Sequence, residues 1–188
     1  MINIEALMKA GYVVTKPSVV NELRDDRKFH LFGYLEPYPK FDFWMVETPE
    51  DQIEVSIGDV KGLVFGKCRL GHFVEDPKGA IRLITTEGKR AVSLFNLMWV
   101  NENIGEFHRC YMTFLTEVHR LKSRIPDFEG SFTTLLAETS AGLRAELGKV
   151  SHATVSVGSF WGLVLYMLES NIFPLSLHLW DHTSSSGF

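Results

Sequence analysis

Histidine offers the most versatile chemistry in this sequence, because a neutral imidazole can act as a base or bind a metal. Seven histidines are present, and His178 and His182 stand four residues apart. On a helix, that spacing would bring the two imidazoles together as metal ligands. The pair lacks the glutamate of the HExxH protease pattern, and Pro174 and a serine-rich end disfavour a helix there. We therefore interpret both histidines as surface residues and keep a small metal-dependent hydrolase as an alternative.

The sequence contains no other motif that a reaction requires. Ser56 and Ser93 lack the flanking glycines that place a hydrolase serine on a strand-to-helix elbow. The spaced glycines of residues 58–62 and 66–71 fall in predicted hairpins and not between a strand and a helix, so they do not predict a phosphate loop. We therefore expect no catalytic residue, no bound metal and no cofactor, and we predict that the chain is not an enzyme.

Acidic side chains are concentrated in one window of the chain. Residues 36–59 contain seven aspartates and glutamates and a single Lys40, although the whole chain has a net charge of only −4. One interpretation is a solvated acidic loop, since runs of charge commonly keep a surface hydrated. The other is a docking face for a basic protein, because complementary charge raises the rate and the specificity of association.

Trp44 lies inside this acidic window and follows Phe43 directly. An aromatic side chain surrounded by a polar rim is a common anchor of protein interfaces. An alternating strand over residues 52–57 would send the carboxylate of Glu54 to solvent. The predicted partner-binding residues are therefore Trp44, Glu47, Glu50, Asp51 and Glu54.

Composition restricts the class of protein further. With 188 residues, of which 45% are hydrophobic, the chain can form one domain with an apolar core. The mild negative charge lacks the basic field that nucleic-acid binders carry, so we expect no direct binding to nucleic acid. Residues 1–175 are predicted to form a single domain, and residues 176–188 an irregular tail.

Cysteine usage and the apolar runs bear on the compartment. Cys68 and Cys110 have no metal-ligand spacing, which is typical of buried thiols in a reducing compartment. The first residues lack the pattern of a signal peptide. The apolar run at residues 160–168 is too short to span a bilayer. We therefore expect a cytoplasmic protein that does not enter a membrane.

Strands are predicted throughout the first hundred residues. Residues 53, 55 and 57 are apolar and alternate with polar residues, the period-two pattern of a half-buried strand. Turn-forming residues separate the later strands, so neighbours should pair antiparallel as a meander of about five to six strands. The later strands are expected at residues 62–68, 72–75, 80–85 and 90–95.

Helices are predicted before and after these strands. Residues 2–10 form a short helix that ends at Gly11. Apolar residues from 104 to 121 recur at three- and four-residue steps, and Asn101 or Asn103 would cap this helix. Further helices are expected at residues 132–147 and 160–168. The predicted fold class is α+β, with an antiparallel sheet packed against C-terminal helices.

Phe160 and Trp161 open the last predicted helix. Two adjacent aromatic rings can stack on a ligand, but on a helix that is otherwise apolar they are more often core residues. We predict that both rings pack in the interior of the protein.

The order of these features resembles one protein family. A strand-like segment from Gly88 ends in Val100-Asn101, a helix enters through Ile104 and Phe107, and Phe160-Trp161 follows. This order resembles the SUKH superfamily (SMI1/KNR4-like proteins) and is most similar to its SUKH-4 branch of bacterial immunity proteins. In that group a strand meander leads into a Val-Asn-x-Ser-like turn and a helix with an early phenylalanine. The domain closes with a helix that begins near a Phe-Trp pair.

The resemblance covers residues 60–169, and residues 76–88 fit the central hairpin of the family. Glu102-Asn103 stands where a small hydroxyl residue is usual, and residues 29–44 have no counterpart. The resemblance implies a protein that binds and blocks a cognate polymorphic toxin, often a nuclease or a deaminase. A viral or host-interaction scaffold of the same fold is the alternative that it leaves open.

Overall fold

The sheet and most of the helices follow one another along the chain. The computed structural model shows an antiparallel meander of six strands with a seventh strand beside it, and then C-terminal helices. This arrangement confirms the α+β class predicted from the sequence. The chain divides into two compact units, Met1–Phe107 and His108–Phe188. The structure describes residues 2, 4–16, 44–45, 53–57, 60–68, 70–85, 97–124, 127 and 129–170.

The first unit contains a short helix and the sheet, and the second unit is helical. In the first, helix α1 (Ile4–Lys9) precedes seven strands: β1 (Val13–Thr15), β2 (Trp44–Met45), β3 (Ile53–Ile57), β4 (Val60–Cys68), β5 (Gly71–Glu75), β6 (Ile81–Ile84) and β7 (Leu97–Asn101). Helix α2 (Ile104–Arg124) starts in the first unit and continues into the second. The second also holds α3 (Phe132–Val150), a 3₁₀ helix (His152–Val155) and α4 (Phe160–Glu169).

Helix α1 ends in a glycine turn, as the sequence predicts. Gly11 has a φ of +94°, a conformation that a residue without a Cβ adopts at little cost. Its amide donates to the Met8 carbonyl at 3.0 Å, and the Tyr12 amide donates to the Leu7 carbonyl at 3.1 Å. These are the paired bonds of a Schellman motif. Because Leu7 and Tyr12 both join the apolar core, the turn also fixes where Tyr12 enters that core.

Every strand pairs antiparallel with its neighbours. The order across the sheet is β1-β3-β4-β5-β6-β7, and β2 pairs with β4. From β3 to β7 neighbouring strands follow one another in the chain, which confirms the predicted meander. The strand predicted at residues 90–95 lies outside the described residues.

The two faces of the sheet are buried to different extents along it. On β3, Ile53 and Val55 are buried while Glu54 and Ser56 are half-buried, which confirms the predicted alternation. On β5, four consecutive residues starting at Gly71 are buried. A strand in the middle of a covered sheet has no solvent face, so the polar–apolar alternation disappears there.

Two apolar clusters cover the faces of the central strands. On one face, Leu7 of α1 and Tyr12 meet Val64, Val74 and Ile84. On the other face, Phe65, Phe73 and Phe107 meet. Their ring centroids are 6.1 Å apart for Phe65–Phe73, 5.5 Å for Phe65–Phe107 and 5.0 Å for Phe73–Phe107.

A β-bulge at Phe65 interrupts the pairing of β4 with β5. Val64 pairs with Val74 and Gly66 pairs with Phe73, so Phe65 is an extra residue on β4. An extra residue reverses the alternation of side chains after it. The bulge therefore places the Phe65 ring beside Phe73 and Phe107 and turns Lys67 to the opposite face.

Asn103 caps helix α2. Its side-chain oxygen accepts a hydrogen bond from the Glu106 amide at 2.9 Å, and its carbonyl accepts from the Phe107 amide at 3.1 Å. The Glu106 carboxylate in turn accepts from the Glu102 amide at 3.3 Å. Asn101, the other cap considered from the sequence, is instead the last residue of β7 and is fully buried.

Replacing the cap tests this assignment. Asn103→Ala is expected to lower the free energy of unfolding by about 1 kcal/mol, because the amides of the first helical turn lose an acceptor. Urea denaturation followed by circular dichroism measures the loss. Glu102→Ala, an exposed neighbour, is the control and should stay within about 0.5 kcal/mol of the wild type. Equal losses in the two variants would contradict the assignment of Asn103 as the cap.

Aromatic side chains fill the core of the second unit. The Ser159 hydroxyl accepts from the Gly162 amide at 3.0 Å and so caps α4 at the residue before the aromatic pair. Phe160 and Trp161 are both fully buried. The Trp161 ring centroid lies 5.0 Å from that of Phe160 and 6.0 Å from that of Phe114. The prediction that this pair packs in the interior is confirmed.

Candidate functional site

Glu54 is the one predicted partner-binding residue whose side chain the structure describes. It lies on β3, between Thr15 of β1 and Leu63 of β4. Its Oε1 atom is 3.9 Å from Lys61 Nζ, and the two side chains are 36% and 64% exposed. An ion pair this long and this hydrated contributes little free energy. The Glu54 carboxylate is therefore weakly held and can exchange Lys61 for a charge on a partner.

The backbone pairing of β2 with β4 gives the position of Trp44 in the sheet. Strand β2 sets Trp44 opposite Lys67 on β4, and Lys67 is opposite His72 on β5. Residues directly opposite one another in an antiparallel pair belong to the same face of a sheet. Trp44 therefore enters the sheet in the row of Lys67 and His72.

Glu54 belongs to a different row. It is opposite Leu63 on β4, and the bulge at Phe65 lies between Leu63 and the position that pairs with Trp44. Glu54 and Trp44 therefore pair with β4 on different sides of the bulge. The structure thus attaches the backbones of both residues to one strand, at separate positions along it.

The remaining residues singled out from the sequence lie outside the described part of the chain. Glu47, Glu50 and Asp51 stand between β2 and β3, and His178 and His182 stand after α4. Within the described residues, no group of three or more histidine, cysteine, aspartate or glutamate side chains could hold a metal ion. Cys68 and Cys110 are both buried, as predicted.

His72 is a buried histidine that the sequence analysis did not single out. Its side chain is 5% exposed, and neither ring nitrogen has a hydrogen-bond partner among the described residues. Burial, together with the positive charge of Lys67, lowers the pKa of His72 from 6.5 to about 4. The imidazole is therefore neutral near pH 7, because the low-dielectric surroundings disfavour its charged form.

An open groove lies in the first unit at the end of the sheet near the Asp76 turn. Its volume is about 20 Å³, which is room for roughly one water molecule, and it is partly open to solvent. Four apolar side chains line it: those of Val55, Val74, Ile84 and Leu97. The polar residues Tyr12, Ser56, Lys61, Asp76 and Arg82 complete the lining, together with Gly62.

Gly62 lies in the lining of this groove, where a side chain would not fit. It is opposite Val55 in the sheet, and a Cβ atom at this position would overlap the Val74 side chain and approach the Glu75 carbonyl oxygen to 3.0 Å. Real Cβ atoms are not found so close to other atoms, and the core around Val74 is packed. The absence of a side chain on Gly62 therefore leaves room for the Val74 side chain, which packs over the glycine.

A tight turn fixes the polar end of the groove. Asp76 Oδ1 accepts from the Lys78 amide at 2.9 Å and from the Ala80 amide at 3.0 Å. Its other oxygen, Oδ2, accepts from Arg82 Nε at 3.3 Å. The carboxylate thus holds both the turn and the arginine in place, since each of its oxygens is used.

The lining residue Tyr12 carries a buried hydroxyl group. Its side chain is 3% exposed, and its hydroxyl has no hydrogen-bond partner in the part of the chain that the structure describes. Burial raises the pKa of Tyr12 above its ordinary value, so the hydroxyl stays protonated and able to donate. No sequence motif pointed to this groove, because its residues come from strands and turns spread between positions 12 and 97.

The helices were compared with the length that a bilayer requires, and the sequence and structure were compared with those of known proteins. Within its described part, the chain has no helix that is both long enough and apolar enough to cross a membrane. A scan against models of protein families and searches of curated proteins and of solved structures gave no significant match.

Proposed function

We propose that the chain is a non-enzymatic immunity protein of the SUKH-4 type, which binds a cognate polymorphic toxin and neutralises it. The observation that carries the proposal is the order of elements around α2. A meander ends at Asn101, a capped helix follows with Phe107 fully buried in its first turn, and a later helix opens on the buried Phe160 and Trp161. This order supports the resemblance on which the function rests.

The negative charge of residues 36–59 supports the proposal that the partner is a basic protein. The window of residues 36–59 is strongly acidic within a chain whose net charge is only −4. A nuclease presents a basic cleft that holds phosphates, and clustered carboxylates are complementary to such a cleft. Glu54 fits this role because its only recorded ion pair in the described chain is the long contact with Lys61.

The pairing of β2 and β3 brings the two ends of the segment between them to neighbouring positions on β4. Met45 is opposite Gly66 and Ile53 is opposite Val64, so both strands pair along β4 at neighbouring positions. Two residues along a strand span about 7 Å. Glu47, Glu50 and Asp51 stand in the sequence between these two anchors.

Charge reversal tests the proposed face. The toxin to test is the product of the gene immediately upstream of this one, where we expect the gene of a cognate nuclease or deaminase toxin. Changing Glu47, Glu50, Asp51 and Glu54 together to lysine should weaken binding at least about 100-fold, because several complementary charges become repulsive. Calorimetry measures the affinity, and toxin activity with added protein measures neutralisation.

The control reverses the same number of charges elsewhere. Glu5, Glu129, Glu138 and Glu146 are exposed and lie outside the acidic window, so their change to lysine should leave affinity within about threefold. Circular dichroism must show that both variants are folded. Unchanged binding of the first variant, or equal loss in both, would exclude this face as the binding surface. Failure of the wild-type protein to bind or inhibit the toxin would exclude the immunity function.

A further inference from the structure

One row of side chains runs across four strands on the face of the sheet turned away from the core around Val55. Thr15 of β1 is opposite Glu54 of β3. Leu63 of β4 is opposite both Glu54 and Glu75 of β5. Residues directly opposite one another share a face, and Val55, which follows Glu54 on β3, belongs to the apolar core on the other face. These four residues therefore lie side by side, away from that core.

This row and the row beside it are accessible to solvent. Val13, Ser56 and Lys61 form the second row, two residues along the strands. Val13 is 62% exposed, the Lys61 side chain is 64% exposed, and Thr15 is exposed as well. The other four residues are half-buried. We call the seven residues of the two rows the open sheet face: Val13, Thr15, Glu54, Ser56, Lys61, Leu63 and Glu75.

An apolar side chain lies in the middle of the open sheet face. Leu63 is half-buried and has a glutamate on each neighbouring strand, Glu54 on β3 and Glu75 on β5. Neighbouring strands are about 4.8 Å apart, so a long side chain laid over Leu63 comes within reach of both positions. The alkyl stem of an arginine or lysine packs on apolar surface, and its charged end is stabilised by a carboxylate. The row therefore fits a basic side chain whose stem contacts Leu63.

Lys61 takes the place of such a cation in the free protein. It is opposite Ser56, two residues along β3 from Glu54, and its Nζ atom is 3.9 Å from Glu54 Oε1. This contact is long and hydrated, so it adds little to stability. A cation of a partner can therefore displace Lys61 from Glu54, but the lysine competes with it and reduces the gain in binding free energy.

We propose that the open sheet face docks a basic segment of the toxin, with Leu63 beneath the stem of an arginine or lysine, Glu54 as its acceptor and Lys61 as the cation that it displaces. The inference rests on the proposed function and adds a surface of described residues to it. Glu54 belongs to the acidic window of residues 36–59, so the face continues the surface proposed for a basic partner. A second copy would bring the same two glutamates against this face, and this like charge disfavours self-pairing.

Lys61→Gln is the first test, made on the full chain with the product of the gene immediately upstream as the probe. The change removes the competing cation and leaves Glu54 in place, so the affinity measured by calorimetry should rise about threefold. The gain should shrink at high salt, because salt screens exposed charges. Lys149→Gln is the matched control, since it breaks an exposed pair with Glu146 at 2.6 Å and removes the same charge from α3. Its affinity should stay within about 1.5-fold of the wild type.

Thr15→Arg is the second test. Thr15 is exposed and directly opposite Glu54, so an arginine there would cover the row and pair with this carboxylate. Toxin affinity should fall at least about tenfold, because a fixed cation then repels the basic partner. Thr116→Arg adds the same side chain at an exposed threonine of α2 and should leave affinity within about twofold. Circular dichroism checks that every variant is folded.

The outcomes separate the surface from the function. If the wild type binds the toxin, an affinity of Lys61→Gln no higher than that of Lys149→Gln would overturn the open sheet face alone. An affinity of Thr15→Arg no lower than that of Thr116→Arg would do the same. Absence of wild-type binding would exclude the immunity function and this surface together. Self-association of the wild-type chain that Thr15→Arg abolishes in sedimentation would assign the face to a second copy and overturn the proposal.

Discussion

Trp161→Ala is expected to lower the free energy of unfolding by about 3–5 kcal/mol. The indole ring is fully buried and contacts the rings of Phe160 and Phe114, so its removal leaves a cavity that neighbouring helices cannot fill without moving. Small domains have a total stability of about 5–15 kcal/mol, so the loss is a large part of the whole. Urea denaturation followed by far-ultraviolet circular dichroism measures it without relying on tryptophan fluorescence.

Tyr166→Ala is the matched control for this change. Tyr166 lies on the same helix but is 58% exposed, so its truncation should alter stability by no more than about 0.5 kcal/mol. If Trp161→Ala lost less than about 1 kcal/mol, or no more than Tyr166→Ala, the ring would not be a core residue. The prediction concerns the scaffold alone and is independent of any partner.

The second large effect is a dependence of stability on pH through His72. Its pKa is about 4 in the folded protein and 6.5 in the unfolded chain, so the unfolded state binds the proton more tightly. Stability from this group is complete above pH 6.5 and is lost as the pH falls toward 4. Between pH 7 and pH 4 the expected loss is about 3 kcal/mol, since one pKa unit corresponds to about 1.4 kcal/mol.

His72→Leu isolates this contribution. Carboxylates also titrate in this range, but they do so in the wild type and in the variant, so the comparison removes their effect. The stability difference between pH 7 and pH 4 should shrink by about 3 kcal/mol in His72→Leu. At pH 7 the variant should be at least as stable as the wild type, because two ring nitrogens without partners are removed. Urea denaturation at both pH values measures these differences.

A second core variant shows that the effect belongs to the imidazole. Val74→Ala, two residues along the same strand, should lower stability at both pH values and leave the difference between them unchanged. The same pH dependence in His72→Leu as in the wild type would contradict a buried neutral histidine at this position.

Local patterns in the sequence predicted the elements well. The stop of α1 at Gly11 and the alternation of Ile53 and Val55 follow from residue preferences that act over a few positions. The burial of Phe160 and Trp161 followed from an apolar helix in the same way. Two asparagines competed as the cap of α2, and only the end of β7 decided in favour of Asn103.

The groove and the buried histidine could not be predicted in this manner. Tyr12 and Arg82 line one groove although seventy residues separate them, and only the order of strands relates them. His72 is polar, so a half-buried strand would expose it, whereas the central position of β5 buries it. Long-range pairing sets both features, and a local pattern carries no information about it.

The bulge at Phe65 sets which face each later residue of β4 occupies. Upstream of it Val64 belongs with the cluster around Leu7, and downstream Lys67 is on that same side, next to His72. If Phe65 paired with β5 without the bulge, everything that follows in the strand would exchange sides. The lysine ammonium would then be directed toward the phenylalanine rings, and the Cys68 side chain would take its place. For this strand, the register of pairing is as strongly constrained as the chemical type of its residues.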